Sequence, residues 1–405
     1  MKSRNAEFTR LRGLDLRIVR LGLRMPMQLL WRVTGPVSHD LLAVMHRNLL
    51  AGPLNRQVRF ARVPLARPVW SPSTQAKPVR VSPVALRATE ILNWADDVAA
   101  VDLDVVGGRG WELAAAAVDD GTSIVSLVCS HALTDGQGLL AALLLAARNE
   151  YPVALGAVGQ PTITADVMDA VHGGIRDHGR LIILWAKAFR AAHRKRGNAL
   201  ASMGTDDRSE SGPVRSTVAV QVDTNAIDRI AAMHGGTATS LMLAITANVA
   251  RCVRGEVGAG DALSVAVPVS LRTPDDQALS NVMAIATVVF EVQDARYTDL
   301  VEVRQRSKLA YARVSARDTG LAHSDAGYST VGVLPAEVRE VFGPALGVIG
   351  RATSDSGLRP GHVFAFTGWG DGTTSLWFQA TGIHLDRSII TDEFDAWGLA
   401  VIRWW

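Results

Sequence analysis

The chain has 405 residues, 48% hydrophobic and 20% charged, with a formal charge of +3 from 42 Lys and Arg against 39 Asp and Glu. That is enough chain to bury a large core as a globular α/β protein of two lobes, and so small and scattered a positive excess excludes nucleic acid as the expected partner. The two cysteines, Cys129 and Cys252, lack any Cys-x-x-Cys or zinc-type Cys/His spacing, which excludes a disulfide framework or metal knot and fits a reducing cytoplasm, the expected location.

The N-terminal stretch MKSRNAEFTRLRGLDLRIVRLGLR puts arginines through every apolar patch, unlike a signal peptide. The spacing then predicts a helix over 38–50, capped by Ser38, and a strand over 122–128. The most apolar run, 139–147, is far shorter than the ~20 residues that cross a bilayer. RLIILWAKAFRAAHRKRG, up to residue 197, has a helical period and a basic end at Arg190, His193, Arg194, Lys195 and Arg196. It reads either as a solvated helix end whose cations suit the dipole or as a surface for membrane or CoA phosphates. The Gly-, Ser- and Asp-rich stretch at about 197–216 reads as an exposed linker. The expected division is therefore an N-terminal lobe (1–180), a basic helix with crossover linker (181–213) and a C-terminal lobe (214–405). In the last of these, 237–253 predicts a long apolar helix that starts at a threonine and stops before Gly255. Strands are expected at 262–267, 282–292, 362–366 and 375–380, with helices near 298–316 and 391–399.

One stretch, CSHALTDGQG at 129–138, carries chemistry. Ile124, Val125, Leu127 and Val128 form a continuous apolar run, as in a strand buried on both faces. Thr134-Asp135-Gly136-Gln137 has the form of a capping box, with LLAALLLAA as the helix that follows. His131 therefore falls in a short strand-to-helix turn, where side chains face a crevice. Asp135 reads as a helix-start carboxylate held by backbone N–H groups, or as the group that fixes the turn and aims His131. Gly136 leaves room for another backbone or a ligand. The other histidines, His39, His46, His172, His178, His193, His234, His323, His362 and His384, form no spaced pair that suggests a metal, and are expected to be structural or exposed.

His131-x-x-x-Asp135-Gly136, between a strand and a helix, resembles the HxxxDG signature of the CoA-dependent acyltransferase superfamily. That superfamily includes chloramphenicol acetyltransferase, the condensation domains of nonribosomal peptide synthetases, polyketide-associated acyltransferases and bacterial wax ester synthase/diacylglycerol acyltransferases. Gly108-Arg109-Gly110-Trp111-Glu112-Leu113 resembles the strand before the motif in the wax ester synthase group. Val267-Pro268-Val269-Ser270-Leu271-Arg272 followed by Leu279-Ser280-Asn281 resembles that group's PVSxR and downstream asparagine. Trp369 in FTGWGDG and the strand from Ser375 fall where the superfamily has its late bridging strands. The likeness spans roughly 28–400. Two departures stand out: position 130 is serine where many members have a second histidine, and Thr367-Gly368-Trp369-Gly370 shares only GWG with the plant-type DFGWG.

The resemblance implies two chloramphenicol-acetyltransferase-like lobes, each a mixed β-sheet with helices, in a V with a tunnel between them. It implies an acyltransferase with His131 as general base, and Asp135 in a structural ion pair carried onto Arg272. Asn281, Trp369, Thr374 and Ser375 become the candidate substrate or oxyanion contacts. No permanently bound cofactor or metal is implied; acyl-CoA or a phosphopantetheine thioester is the co-substrate. The partners it implies are a small-molecule or lipid acceptor and, as an open alternative to CoA, an acyl carrier protein. Two rival readings stay open: a non-catalytic condensation-like scaffold, and a lipid transfer protein with weak membrane-surface contact through its basic helix.

Overall fold

A computed structural model describes residues 9–150, 161–171, 215–255, 262–273, 276, 280–291, 296–314, 324–352, 361–370 and 372–405. The basic helix and crossover linker expected over 181–213 lie wholly outside the described residues.

Among the described residues the strands form two large sheets and a hairpin. The first sheet runs in the order β11 (Ala345–Ala352), β1 (Pro26–Thr34), β6 (Thr122–Ser130), β5 (Trp111–Ala117), β4 (Arg80–Val81). The second runs β14 (Val401–Trp404), β7 (Arg215–Asp223), β13 (Thr373–Thr381), β12 (Val363–Trp369), β10 (Ala326–Val333), β8 (Leu263–Ser270), β9 (Met283–Phe290). The hairpin pairs β2 (Arg56–Arg59) with β3 (Val69–Pro72). The expected strands are thus β6, β8, β9, β12 and β13. The expected helices are His39–Ala51, Ala238–Arg254, Leu300–Ala312 and Arg387–Trp397. Ser38 and Thr237 cap the first two as read from sequence, and Gly255 ends the second at φ +68°.

Period-two burial decides how the sheets stack. In β1, Met27, Leu29, Trp31 and Val33 face the core beneath the helices Gly13–Leu21, His39–Ala51 and Gly136–Ala147, while Leu30 faces the opposite way. In β13, Leu376, Phe378 and Ala380 face the core beneath Ala238–Arg254 and Arg387–Trp397, while Trp377 faces away. The two outward faces meet in a separate cluster that contains Leu30, Ile124, Ile349, Phe366 and Trp377. Where the faces meet, β1, β6 and β13 are therefore covered on both sides, which is why β6 reads as an unbroken apolar run.

The strand that joins the lobes is β11. It pairs antiparallel with β1 although it follows β10 of the second sheet in the chain. Leu334, Val338 and Phe342, just before it, belong to the core of the first lobe, and the Trp31 indole N–H donates to the Val338 carbonyl at 2.9 Å. Trp369 and Ser375, expected near the bridging strands, belong instead to β12 and β13. Where β11 passes β12 the approach is so close that a Cβ on Gly368 would lie 2.6 Å from the Val348 carbonyl oxygen. At the other side the second sheet opens: β8 pairs with β10 only at Val265 and Ala266, and Pro268 beyond them has no N–H to continue the ladder.

Gly368→Ala forces backbone against backbone and is expected to cost about 1–3 kcal/mol. Urea unfolding should show a lower midpoint at an unchanged slope; an unchanged midpoint contradicts the close approach.

Candidate active site

His131 occupies the turn between β6 and the helix Gly136–Ala147. Its N–H donates to the Met25 carbonyl at 2.8 Å, which ties the turn to the start of β1. Its side chain lines a cavity of about 200 Å³ whose walls come from both lobes, with Leu14, Met25 and Leu139 from one and Met283, Ile285 and Phe364 from the other. The residue is 8% exposed, and its Nδ1 has no hydrogen-bond partner among the described residues. Burial pushes its pKa below the ordinary histidine value, against the pull of the turn's backbone and the Asp135 charge. The imidazole is therefore neutral near pH 7.

Asp135 does three things with one carboxylate. Its Oδ1 accepts from the Gly138 N–H at 2.7 Å and so caps the helix. Its Oδ2 accepts from Arg272 Nη2 at 2.8 Å and from the Val282 N–H at 2.8 Å, both from the second lobe. Asp135, not the Thr134 expected from the capping-box pattern, is the cap; the Thr134 hydroxyl turns to the Asp135 carbonyl at 3.2 Å. The aspartate carboxylate, with two oxygens one bond beyond the reach of a threonine hydroxyl, serves both the helix end and the guanidinium from its extended N-cap conformation. The tight glycine is Gly138, where a Cβ would lie 2.2 Å from Thr134 Oγ1 and 3.1 Å from Arg272 Nη2. At Gly136 a Cβ would meet only Val331, at 3.4 Å. Gly136 itself lines the cavity.

The segment Ser280-Asn281-Val282 is gripped by the first lobe at every residue. Asn281 Nδ2 donates to the His131 carbonyl at 2.7 Å and to Asp15 Oδ1 at 2.6 Å. Asn281 thus holds the backbone of the His131 turn and is absent from the cavity lining. Arg56 Nη2 donates to Ser280 Oγ at 2.9 Å and also to the Leu133 carbonyl. Burial pushes the Asp15 carboxyl up to about 7, with Asn281 and the Arg56 charge pulling the other way, and it pushes Arg56 down to about 10. Neither residue stood out in the sequence: an acid in a helix's first turn and an arginine before a strand are ordinary there.

Trp369, Thr374 and Ser375 are not brought to His131. The Trp369 indole donates to Thr330 Oγ1 at 3.0 Å, Thr374 shares a hydrogen bond with Thr224 at 2.9 Å, and Ser375 lines a separate depression with Arg339 and Gly347. The close passage of β11 over Gly368 lies between that depression and the His131 cavity. Conversely, the cavity is lined by residues the sequence did not single out, including Gln28, Arg351, His362 and Gln379. His362, expected to be structural or exposed, is 4% exposed. His172, His178, His193 and His323 lie outside the described residues.

Arg272→Met leaves Asp135 buried without its cation and is expected to cost about 3–5 kcal/mol, with much of the loss recovered in the Asp135→Asn/Arg272→Met double variant. Additive losses in denaturant unfolding contradict the coupling. A second expectation concerns pH. A carboxyl whose folded-state pKa is about 7 against an ordinary 3.8 binds its proton more tightly in the native chain, so the stability this provides is present below about pH 4 and lost as pH rises through 7. Asp15→Asn keeps an acceptor for Asn281 and removes this titration. Its stability relative to wild type should therefore rise by on the order of 4 kcal/mol between about pH 4 and pH 8; a pH-independent difference contradicts the burial of an ionisable Asp15.

No family model matches the chain, and no curated protein sequence does. Solved structures do. The first condensation domain of the CDA synthetase aligns with TM-score 0.58 at 16% identity, over 98% of this chain and 100% of that one. Polyketide synthase associated protein 5 from Mycobacterium tuberculosis aligns with TM-score 0.57 at 12% identity, over 96% and 97%. The EpoB cyclization-docking bidomain of a nonribosomal peptide synthetase from Sorangium cellulosum aligns with TM-score 0.56 at 12% identity, over 97% and 84%. Likeness at such identities speaks for architecture, and over nearly the whole chain that architecture is the two-lobed, chloramphenicol-acetyltransferase-like fold of the condensation domains.

Proposed function

We propose that this chain is an acyltransferase that moves an acyl group from a thioester donor, acyl-CoA or the phosphopantetheine arm of an acyl carrier protein, to a hydroxyl or amine acceptor. The observation that carries this reading is a neutral imidazole at the wall of a cavity that both lobes build, on a turn fixed by Met25 from its own lobe and by Asn281 and Arg272 from the other. His131 takes the proton from the acceptor O–H or N–H as that atom attacks the thioester carbonyl. The tetrahedral intermediate then expels the thiolate, which takes the proton back from the imidazolium, and an ester or amide remains. Such a base contributes ~10²–10⁴-fold and serves best when its pKa lies at or below the working pH. Asp135 and Arg272 act through the turn and do not touch the substrate. The acceptor belongs, on this reading, to lipid or natural-product biosynthesis, because the cavity lining is mostly apolar.

Thiol release from a panel of acyl-CoAs and acyl carrier proteins, with alcohols and amines as acceptors, tests the proposal. His131→Ala is expected to lower the rate by ~10²–10⁴-fold with unchanged circular dichroism. In wild type, log kcat/KM should climb with unit slope at acid pH, level off below the ordinary histidine pKa of ~6.5, and stay flat above it. A well-folded protein that releases no thiol from any donor supports the scaffold reading instead.

A further inference from the structure

The cavity has a second polar end. On the helix-free face of the second sheet, His362, Phe364 and Phe366 follow one another at period two, and Gln379 stands beside Phe364 on the neighbouring strand. The three rings make an apolar ladder: Phe364 stacks on Phe366 at 4.4 Å between centroids and lies 6.0 Å from His362. Gly327 is what admits this wall, since a Cβ there would lie 2.4 Å from the Phe364 ring.

The two polar members of that wall are unusual. Gln379 Nε2 and His362 Nδ1 are buried, on residues 6% and 4% exposed, and neither has a hydrogen-bond partner among the described residues. A buried amide or imidazole nitrogen without a partner is costly, and such groups persist where a ligand serves them. His362 also stands several residues along the strand from the end that meets the His131 helix. Gln137 Nε2 donates to the Val331 carbonyl at 3.0 Å, so that end of β10 sits over the start of the helix that follows His131. The adjacent Thr330 pairs with Thr367, and His362 comes five residues before Thr367, about 16 Å from it at the rise of a strand.

The polar end is neutral. Arg351, the guanidinium in the lining, is committed: its Nε donates to Gln28 Oε1 at 2.6 Å, its Nη2 to the Ala95 carbonyl at 2.9 Å and its Nη1 to Asp96, and it lies over the Trp377 ring. Burial holds the His362 pKa down at about 4, with the Asp325 charge pulling the other way and the Arg254 charge adding to the fall. Arg254, the other guanidinium near this end, is paired with Asp325 at 2.7 Å, so the charges here are already matched and the end favours a hydroxyl or ketone oxygen, which accepts from Gln379 Nε2 and can hydrogen-bond with His362.

Resting on the acyl-transfer reading, we infer that the acyl chain carried in this cavity has an apolar middle and a neutral oxygen function at its distal end, recognised by Gln379 and His362. The site is thus a selector for hydroxylated or keto acyl chains over plain alkyl chains.

Calorimetric binding of octanoyl-, decanoyl- and dodecanoyl-CoA, each against its ω-hydroxy counterpart, tests this on the whole protein, with thiol release measured in parallel. Wild type should bind the hydroxylated chain of matching length about three- to tenfold more tightly. Gln379→Met and His362→Leu should each erase most of that preference, in binding and in the relative rates of thiol release from the two series. Both should keep or raise the melting temperature, because each removes an unpaired buried nitrogen. Equal affinity for both series in wild type, or a preference that survives both substitutions, overturns the inference, and so does a sharp drop in melting temperature, which would assign the two groups a structural duty. The two readings fail separately. Equal affinities with His131-dependent turnover overturn only the selector; a hydroxyl preference without turnover overturns only transfer and leaves a selective binding protein.

Discussion

The buried ion pair between Asp135 and Arg272 is the contact on which the site depends. A carboxylate this far from water needs its full complement of donors, and Asp135 obtains them from three places: the first turn of its own helix, the guanidinium of the second lobe and the N–H of Val282. The same side chain therefore starts a helix and docks a lobe. Because the helix start and the His131 turn are continuous backbone, docking and aiming become one event. Arg56 on Ser280 and Asn281 on the His131 carbonyl tighten the same seam, so the His131 turn is held from both sides while the residue lines the cavity.

That seam is expensive to build. It buries Asp15, Arg56, Asp135 and Arg272 close together, and burial alone is enough to hold Asp15 half-protonated near neutral pH. Hydrophobic residues of similar volume would fill the space at less cost. What the polar seam provides is a single register between the lobes, and with it a fixed position for one imidazole. The cavity wall shows the same trade: Gln379 and His362 hold unpaired buried nitrogens where aliphatic side chains would pack without penalty, a pattern expected where stability is given up for recognition.

Much of this was legible in order along the chain. Continuous apolar runs marked β6, Ser38 and Thr237 marked helix starts, and a histidine between a strand and a helix marked the turn, because these signals act within a few residues of the groups they satisfy. The likeness around 267–281 likewise pointed to Arg272 and Asn281, and the structure brings both to the His131 turn. The reading went astray where one side chain answered to distant partners. Asp135 displaced Thr134 as the cap because Arg272 and Val282 draw on it too. Thr374 and Ser375 lie beyond the closure that β11 makes over Gly368, and nothing local to 374–375 announces a strand arriving from residues 345–352.

Sequence alone determined the local elements, the apolar faces and the placing of His131 in a strand-to-helix turn, since each follows from periodicity, capping or motif spacing over short range. Tertiary structure alone decided that β11 crosses into the first sheet, that Asp15 and Arg56 stand behind His131, and that Gln379 and His362 close the far end of the cavity. The first two rest on pairings between residues hundreds of positions apart and the third on which face of a local strand pair meets the other lobe, and the chain order carries no record of which of two sheet faces will meet.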